Sequence, residues 1–152
     1  MSIPPHVRLM NAKQLGEYAQ LVFMARAAGE GLLISEPYGD SRAYDVGVEY
    51  YDAFRRIQIK STLEPRRGEA FRLGLVGPGG MPYHSSQIDA VAAYLVAIRR
   101  WYILPFDAIR DGDTEYTQRN IQIHPDSDRN KWHHYAEAWH LLRRPISETK
   151  EK

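Results

Sequence analysis

The pair Tyr44-Asp45 and the run Gln58-Ile59-Lys60 supply an acid, an amide and an ammonium. Strand side chains alternate between faces, so Gln58 and Lys60 share one face while Ile57 and Ile59 point the other way, into a core. Tyr44 to Glu49 alternates as well, and a turn around Asp52 folds it onto Phe54 to Thr62 as an antiparallel pair. Asp45, near one end of that ribbon, can then approach the polar face. Oxygen donors of this kind suit a hard divalent cation. With an ammonium beside them they suit phosphodiester hydrolysis: the cation polarises the phosphoryl oxygen, and Lys60 orients the attacking water or neutralises charge on the phosphate. The same residues also support a purely structural reading, a cross-strand Asp45–Lys60 pair worth ~1 kcal/mol or less.

Other groups offer less. Glu49 and Glu64 flank the run, with Glu49 expected to be exposed in the turn. His133, His134 and His140 suggest a metal, and His133 and His140, seven apart, would share a helix face, but a zinc site there is the lesser reading. Asp89 reads as a strand-start or capping residue. Gly77-Pro78-Gly79-Gly80 lacks the Lys-Ser/Thr of a phosphate loop and reads as a turn.

The elements that must position these residues follow from periodicity. Leu15, Tyr18, Val22 and Ala25 recur at helical spacing between Asn11, a capping residue, and Gly29, which predicts a helix over 11–28. Strands are predicted at Leu32 to Ser35, Tyr44 to Glu49, Phe54 to Thr62 and Phe71 to Val76. Asp89 to Ile98 is rich in small apolar residues and fits a helix or a strand. The strand at Trp101 to Leu104 favours a hairpin turning at Arg99-Arg100. A last helix is predicted over Lys131 to Arg143, with Trp132, Tyr135, Trp139 and Leu142 on one core-facing stripe. Helix, strands, helix describes an α/β (α+β) domain on one central mixed sheet flanked by helices, spanning 1–144, with a polar tail over 145–152 expected to fray.

Composition narrows the classes. The 152 residues suit one domain, and the absence of cysteine excludes disulfides, thiolate zinc sites and a cysteine nucleophile. A net charge of +1 hides an asymmetry. Arg55, Arg56, Lys60, Arg66, Arg67 and Arg72 outnumber Glu64 and Glu69 in one stretch, whereas acids dominate from Pro105 to Asp128. No apolar run approaches the ~20 residues of a membrane span, and the start lacks the features of a signal peptide. A soluble, cytoplasmic protein with no membrane partner is the expectation.

Asp45, twelve intervening residues and then Gln58-Ile59-Lys60-Ser61-Thr62 resemble the core motif of the PD-(D/E)XK nuclease superfamily. The resemblance is greatest to the branch with a group I intron-encoded homing endonuclease, in which Gln also replaces the second acid. Gln14-Leu15-Gly16-Glu17 resembles that branch's first-helix motif, and Gly39-Asp40 and Trp101 to Pro105 fit it too, so the likeness spans most of residues 14–105. Tyr44 stands where the family name has Pro, and Gln58 removes one negative charge from the metal site.

The resemblance implies a restriction-endonuclease-like core and a metal-dependent DNA endonuclease using Mg²⁺, with Mn²⁺ as a substitute. Asp45, Gln58, the Ile59 carbonyl and Glu17 would hold the metal or its water, and Lys60 would act on the nucleophile or the transition state. Ser61, Thr62, Arg42, Arg66 and Arg67 are the expected contacts to nucleic acid, double-stranded DNA being favoured. Cutting both strands with one site per chain implies a homo-oligomer, a dimer or a dimer of dimers. A Holliday-junction or other structure-specific nuclease, and a non-cleaving binding domain on the same fold, are the alternative readings.

Overall fold

The computed structural model describes residues 3–67 and 70–144; the tail expected from 145 onward lies outside them. A one-turn helix, α1 (Pro5–Arg8), precedes α2 (Ala12–Gly29). Asn11 starts α2 with a reciprocal cap. The Gln14 N–H donates to Asn11 Oδ1 at 2.9 Å, and the Asn11 N–H donates to Gln14 Oε1 at 3.0 Å. The strands are β1 (Leu33–Ser35), β2 (Val46–Tyr50), β3 (Ala53–Thr62), β4 (Phe71–Gly74), β5 (Ala90–Leu95), β6 (Arg100–Pro105) and β7 (Asn120–Ile123). Five of them form a mixed sheet in the order β1-β2-β3-β5-β6, and β4 with β7 forms a separate two-stranded ribbon.

Only β3 and β5 run parallel. A parallel pair needs a crossover, and here the connection over 63–89 carries β4 across one face of the sheet. The sheet is thus covered on both sides. On one, Ala19, Phe23 and Ala27 of α2 pack with Val46, Val48, Ile57, Ile59, Ala92, Trp101 and Trp139. On the other, Phe71, Leu73, Ile121 and Ile123 of the ribbon pack with Val91, Ala93, Leu95, Tyr102 and Leu104. A strand buried on both faces loses its alternation, which is why 89–98 reads equally as helix or strand. The hairpin expectation holds, although the reversal is a 3₁₀ turn over Val96–Ile98 ending on left-handed Arg99.

The final helix does not form. His133–Tyr135 and Trp139–Arg143 are short 3₁₀ turns, separated by Glu137 at φ 50°. The expected stripe is buried but divided: Trp132 joins the ribbon-side core, and Trp139 and Leu142 join the α2-side core. The chain therefore has to wrap around the free edge of β6, which a straight helix cannot do. At the crossing the Glu137 N–H donates to the Trp101 carbonyl at 2.7 Å, and the Trp101 N–H donates to Glu137 Oε2 at 2.7 Å. The edge gains partners and the helix loses. His133 and His140 consequently share no helical face. Among the described residues no helix is long and apolar enough to cross a membrane.

The same carboxylate accepts from Trp139 Nε1 at 2.9 Å and pairs with Arg26 at 2.8 Å. A buried donor left without an acceptor costs about 1–3 kcal/mol, so Glu137→Ala is expected to lower the unfolding free energy by roughly 3 kcal/mol. Glu137→Gln, which keeps an acceptor oxygen, should lose distinctly less. Urea unfolding compares the two, and equal losses would assign the effect to the Arg26 ion pair instead of the strand edge.

Candidate active site

Asp45 directly precedes β2. Its N–H donates to the Ile57 carbonyl at 2.9 Å, and its Oδ2 accepts the Ile59 N–H at 3.0 Å. The β2–β3 register ends at Val46 opposite Ile57. A side chain therefore takes the place of the next rung, and β3 runs on without β2 beside it. Backbone groups alternate along a strand, so the Ile59 carbonyl faces this uncovered edge next to the carboxylate. Burial raises the Asp45 carboxyl above its ordinary value, opposed by the Ile59 N–H and the Lys60 charge.

Gln58 and Lys60 leave β3 on the ribbon side, as period two predicts. That face is not solvent, because the crossover covers it: Gln58 is only 9% exposed. Gln58 Oε1 has no hydrogen-bond partner and is the one buried side-chain polar atom among the described residues left in that state. Lys60 Nζ donates to the Val76 carbonyl at 2.8 Å and lies 5.2 Å from the centre of the Tyr83 ring. The Tyr83 hydroxyl donates to the same carbonyl at 3.2 Å. Burial pulls the Lys60 ammonium below its ordinary value, with Asp45 opposing. Burial and the Asp45 charge push Tyr83 up to about 12. Among the described ion pairs none joins Asp45 to Lys60, so the simple cross-strand pair is not what holds the lysine.

Val76 and Tyr83 are the site's unforeseen members. A main-chain acceptor carries no side-chain signature, and one tyrosine of ten has no spacing to mark it.

The remaining expected residues distribute around this core. Ser61 and Thr62 follow along β3, half-buried, and Arg66 and Arg67 are exposed in the turn beyond. Thr62, Glu64, Arg66, Arg72, Gly74 and Asn120 line a cleft of about 390 Å³. Arg42 borders a separate recess with Tyr44 and Arg56. Glu17 is exposed on α2, across the sheet from Gln58 and Lys60. Glu49 is exposed, and Glu64 pairs with Arg8 at 3.0 Å. Asp89 caps the start of β5, accepting the Arg56 backbone N–H at 2.8 Å and the Nε and Nη2 N–H groups of its guanidinium, each at 3.0 Å. Among the described residues no group of three or more His, Cys, Asp or Glu is arranged to hold a metal ion. Any cation here would rely on amide and carbonyl oxygens beside Asp45.

A family model described as PD-(D/E)XK endonuclease matches residues 10–142, a span that includes α2, Asp45, Gln58, Lys60, Val76 and Tyr83. Among solved structures, that of a bacterial homing endonuclease, I-Ssp6803I, is similar over 94% of this chain and 100% of its own, with a TM-score of 0.77 and 21% sequence identity. At that identity the likeness is one of fold, and it agrees with the expected α+β core on a mixed sheet. No curated protein matches in sequence.

Burial and ionisation conflict at Asp45. Because its carboxyl titrates above the ordinary value in the folded chain, ionising it costs folding free energy. Asp45→Asn stays neutral and still offers an oxygen to the Ile59 N–H. Without divalent metal it is expected to be the more stable protein at neutral pH. The gain should shrink as pH falls towards the ordinary carboxylate value of about 4, below which Asp45 is protonated in both folded and unfolded chains. Thermal unfolding across that range measures it. A variant less stable than its parent at neutral pH would show that the charged bond to Ile59 outweighs burial.

Proposed function

Since this chain belongs to the PD-(D/E)XK endonuclease family, we propose that it hydrolyses phosphodiester bonds of duplex DNA with a divalent cation held beside Asp45. The observation that carries this reading is the unpaired Gln58 Oε1. A buried acceptor without a donor is costly unless something else meets it, and a hard cation is such a partner. The Asp45 carboxylate, Gln58 Oε1 and the Ile59 carbonyl form an all-oxygen donor set that suits Mg²⁺, with Mn²⁺ as a substitute. Bound there, the cation supplies Lewis-acid polarisation of the phosphoryl oxygen.

The chain's own groups do the rest. Lys60 spends one of its three N–H donors on Val76 and keeps two for a phosphate oxygen or the attacking water. Its charge offsets what gathers on the phosphate as the nucleophile arrives. Ser61 and Thr62 hydrogen-bond the backbone next to the scissile bond, and Arg66, Arg67 and Arg42 provide sequence-independent attraction. Glu17, to which the family resemblance gives an outer role, is exposed on α2 across the sheet from Gln58 and Lys60 and is left out of this donor set. With one site per chain, cutting both strands calls for a homo-oligomer, a dimer or a dimer of dimers.

The test is cleavage of plasmid DNA with Mg²⁺ and with excess chelator. Cleavage that survives the chelator, or survives Asp45→Asn at the parental rate, would falsify this assignment. Lys60→Met is expected to slow cleavage by about 10²-fold or more, the scale of losing one charge-stabilising donor. Gln58→Glu replaces a neutral ligand by a charged one, so half-maximal cleavage should need less Mg²⁺. Equal Mg²⁺ midpoints in parent and variant would remove Gln58 from the donor set.

A further inference from the structure

The β4–β7 ribbon has two unlike faces. Phe71, Leu73, Ile121 and Ile123 point inward to the core. Arg72, Gly74, Asn120 and Gln122 point outward and are exposed. In register, Arg72 lies opposite Gln122 and Gly74 opposite Asn120. Among the described hydrogen bonds and ion pairs, the side chains of Arg72, Asn120 and Gln122 take no part. Arginine, asparagine and glutamine are the side chains whose paired donors and acceptors match guanine and adenine edges, and a two-stranded ribbon fits the major groove, about 12 Å wide.

Gly74 is an independent sign. Its φ is not in the left-handed region, and a Cβ added there would meet nothing within 4 Å. The protein's own packing therefore does not require glycine at this position. Glycine in a strand run weakens it and often marks a bulge, a bend or a close approach by a ligand or another backbone. The regular pairing of Gly74 with Asn120 leaves close approach as the reading that fits.

The ribbon also lies where a substrate would pass. Two residues beyond Gly74, the Val76 carbonyl holds Lys60. Arg72, Gly74 and Asn120 share their cleft with Thr62 and Arg66. Glu64, the acid lining that cleft, is paired with Arg8 at 3.0 Å, which leaves the arginines to set its charge.

We infer that the β4–β7 ribbon enters the major groove of duplex DNA and reads base edges through Arg72, Asn120 and Gln122, with Gly74 admitting the close approach. This rests on the DNA-cleaving reading above and adds the element that selects sequence.

The experiment offers the full chain a pool of randomised duplex oligonucleotides with Mg²⁺ or Mn²⁺ and sequences the cut ends. The parent should cut at a preferred base pattern. Arg72→Lys keeps the charge but loses the planar fork, so discrimination at one base position should fall roughly 5- to 150-fold, the range for a bidentate base contact, with the salt dependence of binding unchanged. Gly74→Val should fold with undiminished thermal stability, since its space is open, yet bind the pool about tenfold or more weakly, on the scale of overpacking a fitted surface. Unchanged pattern and affinity in both variants would overturn the inference. A parent that cuts without base preference would overturn it too, while leaving the nuclease reading intact. A parent that leaves every duplex uncut would overturn both.

Discussion

One hydrogen bond, from the Ile59 N–H to the Asp45 carboxylate, organises this site. It stops the β2–β3 ladder one rung early by giving a main-chain donor a side-chain acceptor. Everything on the far side follows from that stop. The Ile59 carbonyl is left on an uncovered edge, Gln58 and Lys60 continue along a strand that β2 no longer flanks, and a negative charge is fixed beside them. A carboxylate tied to the backbone of the neighbouring strand cannot drift, and its position is as rigid as the sheet. In the proposed function Asp45 is thus both the end of a strand and the start of the chemistry.

The second constraint is coverage of the polar face. An ordinary antiparallel sheet leaves one face to water, where Gln58 and Lys60 would be solvated and cheap. Here the β3-to-β5 crossover lays β4 and the Tyr83 segment over them. Removal from water raises Asp45, lowers Lys60 and leaves Gln58 Oε1 unpaired. None of these helps the fold, and the cost is borne by the continuous apolar layers on either side. Conflict between local stability and burial is concentrated at functional sites.

Much of this architecture was legible in the residues. Alternation separated Ile57 and Ile59 from Gln58 and Lys60 correctly, because that pattern reports strand geometry and little else. Asn11 announced the start of α2 for a similarly local reason. Where the reading failed, a distant partner decided. Trp132 and Trp139 keep helical spacing, yet they serve opposite faces of one sheet, and the chain between them pairs with β6. The strand Asn120–Ile123 is too short to stand out beside an acid-rich stretch, and its partner is about fifty residues away. Val76 enters the site through its carbonyl, which every residue possesses.

In the donor set proposed above, charge balance gives Gln58 its physical meaning. Asp45 and Lys60 are oppositely charged and both partly buried, so without a cation this pocket is close to neutral. A second carboxylate at position 58 would leave a net negative charge in a partly desolvated space, at a cost that falls on the metal-free fold. An amide supplies an oxygen of similar reach without that cost. The exchange sacrifices Coulomb attraction for the cation, and the Ile59 carbonyl adjoining Asp45 offsets only part of it, through a dipole. Affinity for the cation then depends on geometry more than on charge, and geometry here is set by the sheet: the carboxylate is fixed by Ile59, the lysine by Val76 and the amide by burial beneath the ribbon. A neutral ligand is tolerable in a site whose other members are held this firmly, because little ordering remains for the cation to impose.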